Sequence, residues 1–299
     1  MTAATLTNEK AKGGGASRRR KLVRLSLFAM FCLYLGFSPY TFYAGLEFFP
    51  KKFDQTAYPP SGYGIVRENV AFTPKGGGKV KAWYFPVKGA RYAAVIHHGQ
   101  GDNIAYSGYY DTALVLRDCG ASVLLYDYEG FGASEGSPSN EAMRRDALAA
   151  YEFLTAEKHF APEKIVHCGV SLGTGPACDV ASSKPCAGVI LLSPYLSLSK
   201  IARHHLPFLS LYPPFLFPQP DLGSEELLGS KIKAMVVQGE KDMIIPVAQA
   251  DEFSRHYKGP LTYIRLAGAY HIGGLSYAPG SPYKGSALDI CRRFFAGLN

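Results

Sequence analysis

Short uninterrupted apolar runs alternate along the chain with stretches whose apolar residues recur every three or four positions. Strand-like segments are expected at 64–73, 79–86, 92–98, 121–127, 164–169, 188–193, 234–239 and 261–266. The first two flank Pro74-Lys75-Gly76-Gly77-Gly78, a hairpin signal. Tyr92–His98 is apolar without alternation through Ile96, as expected of a strand covered on both faces of its sheet. Helical periodicity is expected from Tyr106 to Cys119, with Gly120 as the stop, and again after Ser139, a candidate N-cap. Ala147, Leu148, Tyr151 and Leu154 share one face of that second helix. Ala287, Ile290, Cys291 and Phe294 mark a last helix by the same spacing. An opening hairpin followed by alternating strands and helices predicts an α/β fold, with a mostly parallel eight-stranded sheet and helices on both faces.

Two stretches break this rhythm. Residues 194–222 hold Leu206, Phe208, Leu209, Leu211, Tyr212, Phe215, Leu216 and Phe217 among five prolines from Pro207 to Pro220. That many prolines exclude a long regular helix. The segment reads as a short apolar lid, with Leu206, Phe208, Tyr212 and Phe215 as candidate substrate contacts; a plain loop packed over the core or touching a membrane is the other reading. Near the N-terminus, residues 25–46 form an uncharged run of 22 residues after Arg18-Arg19-Arg20-Lys21 and Arg24. As a helix it would measure about 33 Å, close to a hydrocarbon core of about 30 Å. Pro39 lies within it and predicts a kink or a shorter helix.

The expected organisation is a basic disordered tail over 1–24, a transmembrane helix over 25–46, a Pro-containing linker over 47–62 and a folded domain over 63–299. Positive charge before the span and a balanced flank after it place the tail in the cytoplasm and the domain on the exoplasmic or periplasmic side. A cleaved signal peptide and a helix lying on the membrane are the alternatives.

Charge bears on partners. The net charge is +8, but residues 1–24 hold seven basic and one acidic side chain, which leaves about +2 for the rest. A nearly neutral body gives no reason to expect nucleic acid. Six cysteines are scattered without CxxC spacing, so neither a metal nor a cofactor is expected. Cys119, Cys186 and Cys291 are left as candidates for a disulfide. His97-His98 are adjacent on a strand and would face opposite ways, and His204-His205 lack a third ligand.

Candidate chemistry concentrates at Gly169-Val170-Ser171-Leu172-Gly173, between an apolar strand and a small-residue stretch. A serine on a sharp strand-to-helix turn needs glycines two residues to either side, because a Cβ there would meet the folded-back chain. A serine hydroxyl is a weak nucleophile that needs a base and an orienting carboxylate. In a parallel sheet these belong on loops at the carboxyl ends of strands. Asp242 follows the 234–239 strand and His271 follows the last strand, so Ser171, Asp242 and His271 are the candidate triad. The Leu172 amide is a candidate oxyanion donor, with Gln100 in the loop after Tyr92–His98 as the second.

With His98-Gly99-Gln100-Gly101-Asp102-Asn103, Asp127 to Ser134, the Ser171 turn, Gly239-Glu240-Lys241-Asp242 and the His271 loop in view, the chain from about Tyr63 onward resembles an α/β-hydrolase superfamily serine hydrolase. It is most similar in pattern to membrane-anchored depalmitoylase-like and serine-aminopeptidase-like members. After His271 the chain has Ile272-Gly273-Gly274 where depalmitoylase-like members carry Asn-Asp, and their N-terminal cysteine cluster is absent. The resemblance implies hydrolysis of an ester, thioester or amide without cofactor or metal. The preferred substrate is a small or lipid-like ester or thioester with an apolar acyl group. A peptidase or amidase, and a non-catalytic binding module on the same fold, are the alternatives.

Overall fold

The computed structural model describes residues 4–42, 48–52, 66–272, 274–275 and 284–298. The strands are β1 (Phe49–Pro50), β2 (Glu68–Phe72), β3 (Val80–Phe85), β4 (Tyr92–His97), β5 (Gly101–Asp102), β6 (Ala121–Tyr126), β7 (Ile165–Val170), β8 (Gly188–Leu192), β9 (Ala234–Gly239) and β10 (Leu261–Leu266). The helices are α1 (Ala4–Gly36), α2 (Pro39–Phe42), α3 (Ser107–Asp118), α4 (Asn140–Glu152), α5 (Thr174–Ser183), α6 (Leu198–His205), α7 (Val247–His256) and α8 (Lys284–Ala296).

Eight strands form one sheet in the order β2-β3-β6-β4-β7-β8-β9-β10. Pairings β2–β3 and β3–β6 are antiparallel, and the rest are parallel. All six residues of β4, β6, β7 and β9 are buried. The reason is two-sided cover. Tyr110, Leu114 and Val115 of α3 and Phe294 and Phe295 of α8 pack on one face with Trp83, Ile96 and Val166. Met143 and Ala147 of α4 and Val180 of α5 pack on the other, with Val95, Leu124 and Tyr126. Ser139 caps α4, its hydroxyl accepting the Ala142 N–H at 3.1 Å.

The chain runs from β4 to β6 on one side and then returns to β7 on the other. The strand order therefore reverses between β4 and β7, which opens a crevice at their carboxyl ends. Ser171 follows β7, the Gln100 loop follows β4, Asp242 follows β9 and His271 follows β10. Topology alone puts all four on one rim.

The N-terminus departs from expectation. Residues 4–36 form one helix, where a disordered tail was expected over 1–24. That helix stops at Gly36, well short of the end of the expected 25–46 span. Pro39 opens a separate short helix, because it has no N–H to continue the ladder and disfavours helix at the preceding residue. Residues 43–46 of the expected span, and most of the 47–62 linker, lie outside the described residues. Among the described residues no helix is long and apolar enough to cross a membrane. The uncharged part of α1, Leu25–Gly36, would measure only about 18 Å.

All six cysteines are free thiols, so the disulfide left open among Cys119, Cys186 and Cys291 is not formed.

Candidate active site

The turn after β7 shows why the sequence needs glycine on each side of Ser171. A Cβ on Gly173 would lie 2.0 Å from the His97 carbonyl oxygen, and one on Gly169 would lie 2.5 Å from the Thr174 Cα. Ser171 itself adopts φ +53°, a left-handed conformation costly for a residue with a Cβ. The turn is held from both sides. The Thr174 hydroxyl donates to the Ser171 carbonyl at 2.8 Å, and the Tyr195 hydroxyl donates to the Leu172 carbonyl at 3.0 Å.

Asp242 and His271 are brought together. His271 Nδ1 lies 2.8 Å from Asp242 Oδ2. The Asp242 carboxylate is saturated: Oδ1 accepts the Ile244 and Ile245 amides at 2.9 and 2.8 Å, and Oδ2 also accepts from Gln238 Nε2 at 3.0 Å. Burial pushes this carboxyl up, but the His271 contact and the two amides outweigh it, and its pKa is lowered overall. An ionised Asp242 fixes the proton of His271 on Nδ1 and leaves Nε2 as an acceptor. Sequence reading missed Gln238 and also Ser193, whose buried hydroxyl accepts the Ile272 N–H at 3.1 Å and anchors the His271 loop. Both are polar residues at the ends of apolar strands, which was the signal available.

Gln100 and Leu172 sit with Ser171 in the wall of a cavity of about 260 Å³. The rest of the wall is Tyr195, Leu198, Ile201, His205, Leu206, Ile244 and Ile245. Of the four expected lid contacts, Leu206 lines this cavity. Tyr212 turns instead into a small core within the cap, with Ala202, Leu209 and Phe217. Phe208 and Phe215 are exposed, at 40% and 76%. The expected pocket is corrected accordingly: its roof is α6, whose Leu198, Ile201 and His205 recur at helical spacing just before Pro207. His205 Nε2 lies 2.8 Å from the Ile244 carbonyl, which joins the cap to the Asp242 loop.

Beneath the Gln100 loop lies a buried polar layer. His98 Nδ1 is 2.8 Å from the Gly99 carbonyl, and the Tyr128 N–H approaches His98 Nε2 at 3.4 Å. These contacts select the tautomer protonated on Nδ1. Asp127 Oδ1 accepts the Ile104 N–H at 2.8 Å. His98 and Asp127 lie 3.9 Å apart, yet they are not an ion pair. Burial pushes Asp127 up to about 8 and His98 down to about 4, so each favours its neutral form near pH 7. On the opposite side of β4, His97 Nε2 is 3.0 Å from His167 Nδ1 and His97 Nδ1 is 2.8 Å from the Tyr126 hydroxyl. His97 is therefore a satisfied core histidine.

A strand-turn-helix serine, a carboxylate-bound histidine and a crevice at a strand-order reversal now share one rim. The family model described as Serine aminopeptidase, S33, matches residues 89–227. The chain has the α/β-hydrolase fold. An esterase of Pyrococcus furiosus superposes with a TM-score of 0.67 at 18% identity, over 84% of this chain and 98% of that one. An uncharacterized protein of Mycobacterium tuberculosis is 29% identical over 214 residues, 71% of this chain and 73% of its own length. An uncharacterized membrane protein of Saccharomyces cerevisiae is 30% identical over 194 residues, 62% of this chain and 66% of its own. Alpha/beta hydrolase domain-containing protein 17C of Xenopus tropicalis is 35% identical over 114 residues, 38% of this chain and 36% of its own. As an α/β hydrolase, the chain is serine-hydrolase-like in its central motif and in the carboxylate-histidine pair that follows it.

Proposed function

We propose that this α/β hydrolase cleaves a carboxylic ester or thioester with an apolar acyl group. The observation that carries the reading is the Asp242–His271 hydrogen bond on the rim where Ser171 opens into an apolar cavity. In this mechanism His271 Nε2 takes the Ser171 proton as Oγ attacks the acyl carbon. The Leu172 and Gln100 amides receive the developing oxyanion. His271 then gives the proton to the leaving alcohol or thiol, and water repeats the cycle on the acyl-enzyme.

Cavity size supports a class of acyl group. An apolar cavity of about 150 Å³ holds benzene. On that scale the space of about 260 Å³ takes roughly ten carbon atoms. Among p-nitrophenyl esters, kcat/KM is therefore expected to peak at about six to ten acyl carbons. Ile201→Trp, which fills the roof, is expected to cut kcat/KM for the octanoyl ester about tenfold and leave the acetyl ester within about twofold. A profile that is flat, or that peaks at acetyl and ignores Ile201, would remove the acyl-pocket reading.

The described cavity wall holds no carboxylate to receive a substrate ammonium group. This supports an ester over an N-terminal peptide, although the matching family description names an aminopeptidase. Faster turnover of aminoacyl anilides than of esters would reverse that preference.

For location we propose that α1 lies along an anionic membrane surface and does not cross it. Its described apolar side chains are exposed, among them Leu25 at 62%, Phe28 at 65% and Phe31 at 57%. Arg18, Arg19, Arg20, Lys21 and Arg24 precede them on the same helix. The yeast relative described as a membrane protein agrees with this. The full chain is expected to float with vesicles containing an anionic phospholipid, less so in high salt. Failure to float with any vesicle sinks the proposal.

A further inference from the structure

The segment that follows the N-terminal helices was expected to be a linker. Its described part, Phe48–Lys52, is instead seated on the loop that carries Gln100. Strand β1 pairs parallel with β5, matching Phe49 to Gly101 and Pro50 to Asp102. The Phe49 N–H donates to the Gln100 carbonyl at 2.8 Å, and the Lys51 N–H donates to the Asp102 carbonyl at 3.1 Å. The Lys51 carbonyl accepts from the Gly132 N–H at 3.0 Å and from Asn103 Nδ2 at 3.2 Å. The Lys51 ammonium pairs with the Asp102 carboxylate, and Lys52 Nζ donates to the Ser134 carbonyl at 3.1 Å. Phe48 meets Phe131 edge-on, with ring centres 6.5 Å apart.

Among the described residues the loop's closest other anchors lie near its ends, and the Tyr109 hydroxyl reaches the Gly101 carbonyl only at 3.5 Å. Gly99 is held by the Tyr109 hydroxyl at 3.1 Å, and Ile104 by Asp127. Between them, the Gln100 and Asp102 carbonyls accept from the incoming segment. Asp102 has φ +65°, so the loop crosses a conformation that side-chain-bearing residues resist. A loop that supplies an oxyanion donor must hold it to about half an ångström. The Gln100 N–H belongs to the preceding peptide, whose Gly99 carbonyl is held by His98 Nδ1 at 2.8 Å. With the Gln100 carbonyl unbound, the loop beyond it would be free to move and to pull that donor away from Ser171.

We propose that Phe48–Lys52 is a strap that positions the oxyanion loop, which makes the N-terminal segment a working part of the active site. The strap contacts no substrate, and its residues are positioning residues. The N-terminal helix also meets the cap: Tyr34 of α1 stacks on Tyr212 at 4.4 Å, and the Tyr212 hydroxyl donates to the Tyr34 carbonyl at 3.0 Å. The inference rests on the reading of Gln100 as an oxyanion donor.

The test uses the full chain with Phe49→Pro, which deletes the N–H that reaches Gln100, beside Phe49→Ala, which keeps it. Deleting an oxyanion donor outright costs about 10²–10³ in kcat, and a loosened donor should cost less. Phe49→Pro is expected to lower kcat for a p-nitrophenyl ester about tenfold, with KM within about twofold. The inhibition constant of a trifluoromethyl ketone, whose hemiketal oxyanion uses the same donors, is expected to rise by the same factor. Phe49→Ala is expected to stay within about twofold on every measure. Unchanged kcat and ketone inhibition in folded Phe49→Pro overturn the strap. If that variant does not fold, Lys51→Ala is read instead, with a loss of about threefold in kcat expected and none overturning the proposal. Hydrogen exchange separates this inference from the hydrolase reading. Should the wild type turn over no ester, that reading fails alone, and the strap still predicts faster exchange of the 99–104 amides in the variant; unchanged exchange refutes it.

Discussion

Ser171→Ala is expected to lower ester turnover by at least about 10⁴-fold while the protein stays folded. The hydroxyl is the only atom removed, and in triad hydrolases the nucleophile and its base act as a unit. Loss of either removes nearly all of the covalent route and leaves only binding and the oxyanion donors. Ser171 is almost buried, and its turn is held by main-chain contacts to Thr174 and Tyr195 that alanine leaves in place. The thermal midpoint is therefore expected to move by only a few degrees. A fluorophosphonate probe is expected to label the wild type and not the variant. Ser193 makes the control informative. It too is a serine with positive φ at the end of a sheet strand, but its hydroxyl is buried and accepts the Ile272 amide. Labelling that survives in Ser171→Ala, or that maps to Ser193, would mean that the nucleophile has been misplaced.

Asp242→Asn is expected to reduce kcat by about 10³–10⁴ with KM little changed. The substitution is nearly isosteric and its oxygen can still accept the Ile244 and Ile245 amides. The new amide group, however, faces two donors, Gln238 Nε2 and the N–H at His271 Nδ1. His271 can satisfy it only by moving its own proton to Nε2, and an imidazole protonated there cannot accept from Ser171. The variant thus loses the base through its tautomer, not through distance. Stability should change in step. The Asp242 pKa is lowered in the folded state, so its stabilising contribution is present above the ordinary carboxylate range near 4 and is lost as pH falls through the lower folded value. Asparagine has no proton to gain, so melting curves of the variant should lack this part of the acid-side decline. A kcat loss below tenfold would show that some other group orients His271.

Much of the candidate site was legible because local chemistry fixes it. Glycines at 169 and 173 report a turn in which any Cβ would strike the main chain, and no distant contact is needed to see that. The apolar runs of β4, β6, β7 and β9 report burial on two faces. Chain order then places a serine, an aspartate and a histidine after β7, β9 and β10. The cap was harder to read. Leu198, Ile201 and His205 do recur at helical spacing, but over only eight residues before the prolines begin. The larger aromatic residues downstream drew the expected pocket to side chains that, Leu206 apart, do not line the cavity. Tyr212 fills the cap's own core, and Phe208 and Phe215 point outward.

The extent of the N-terminal helix was misjudged for a related reason. Hydropathy measures how apolar a segment is, not whether its backbone stays helical, and Pro39 ended the ladder before the expected span was complete. The strap was invisible. A two-residue strand has no periodicity, and Phe48–Lys52 gains its structure from a partner about fifty positions further along the chain.

By itself, then, the sequence determined the sheet, the sharp turn at Ser171 and the placing of Asp242 and His271 after later strands, since each follows from sterics or burial within a few residues. Only the tertiary structure decided which side chains line the cavity beside Ser171, that Gln238 and Ser193 brace Asp242 and the His271 loop, and that the N-terminal segment is seated on the Gln100 loop. Those contacts join residues far apart in the chain, and their energy exists only once the intervening sheet has closed and brought them within reach.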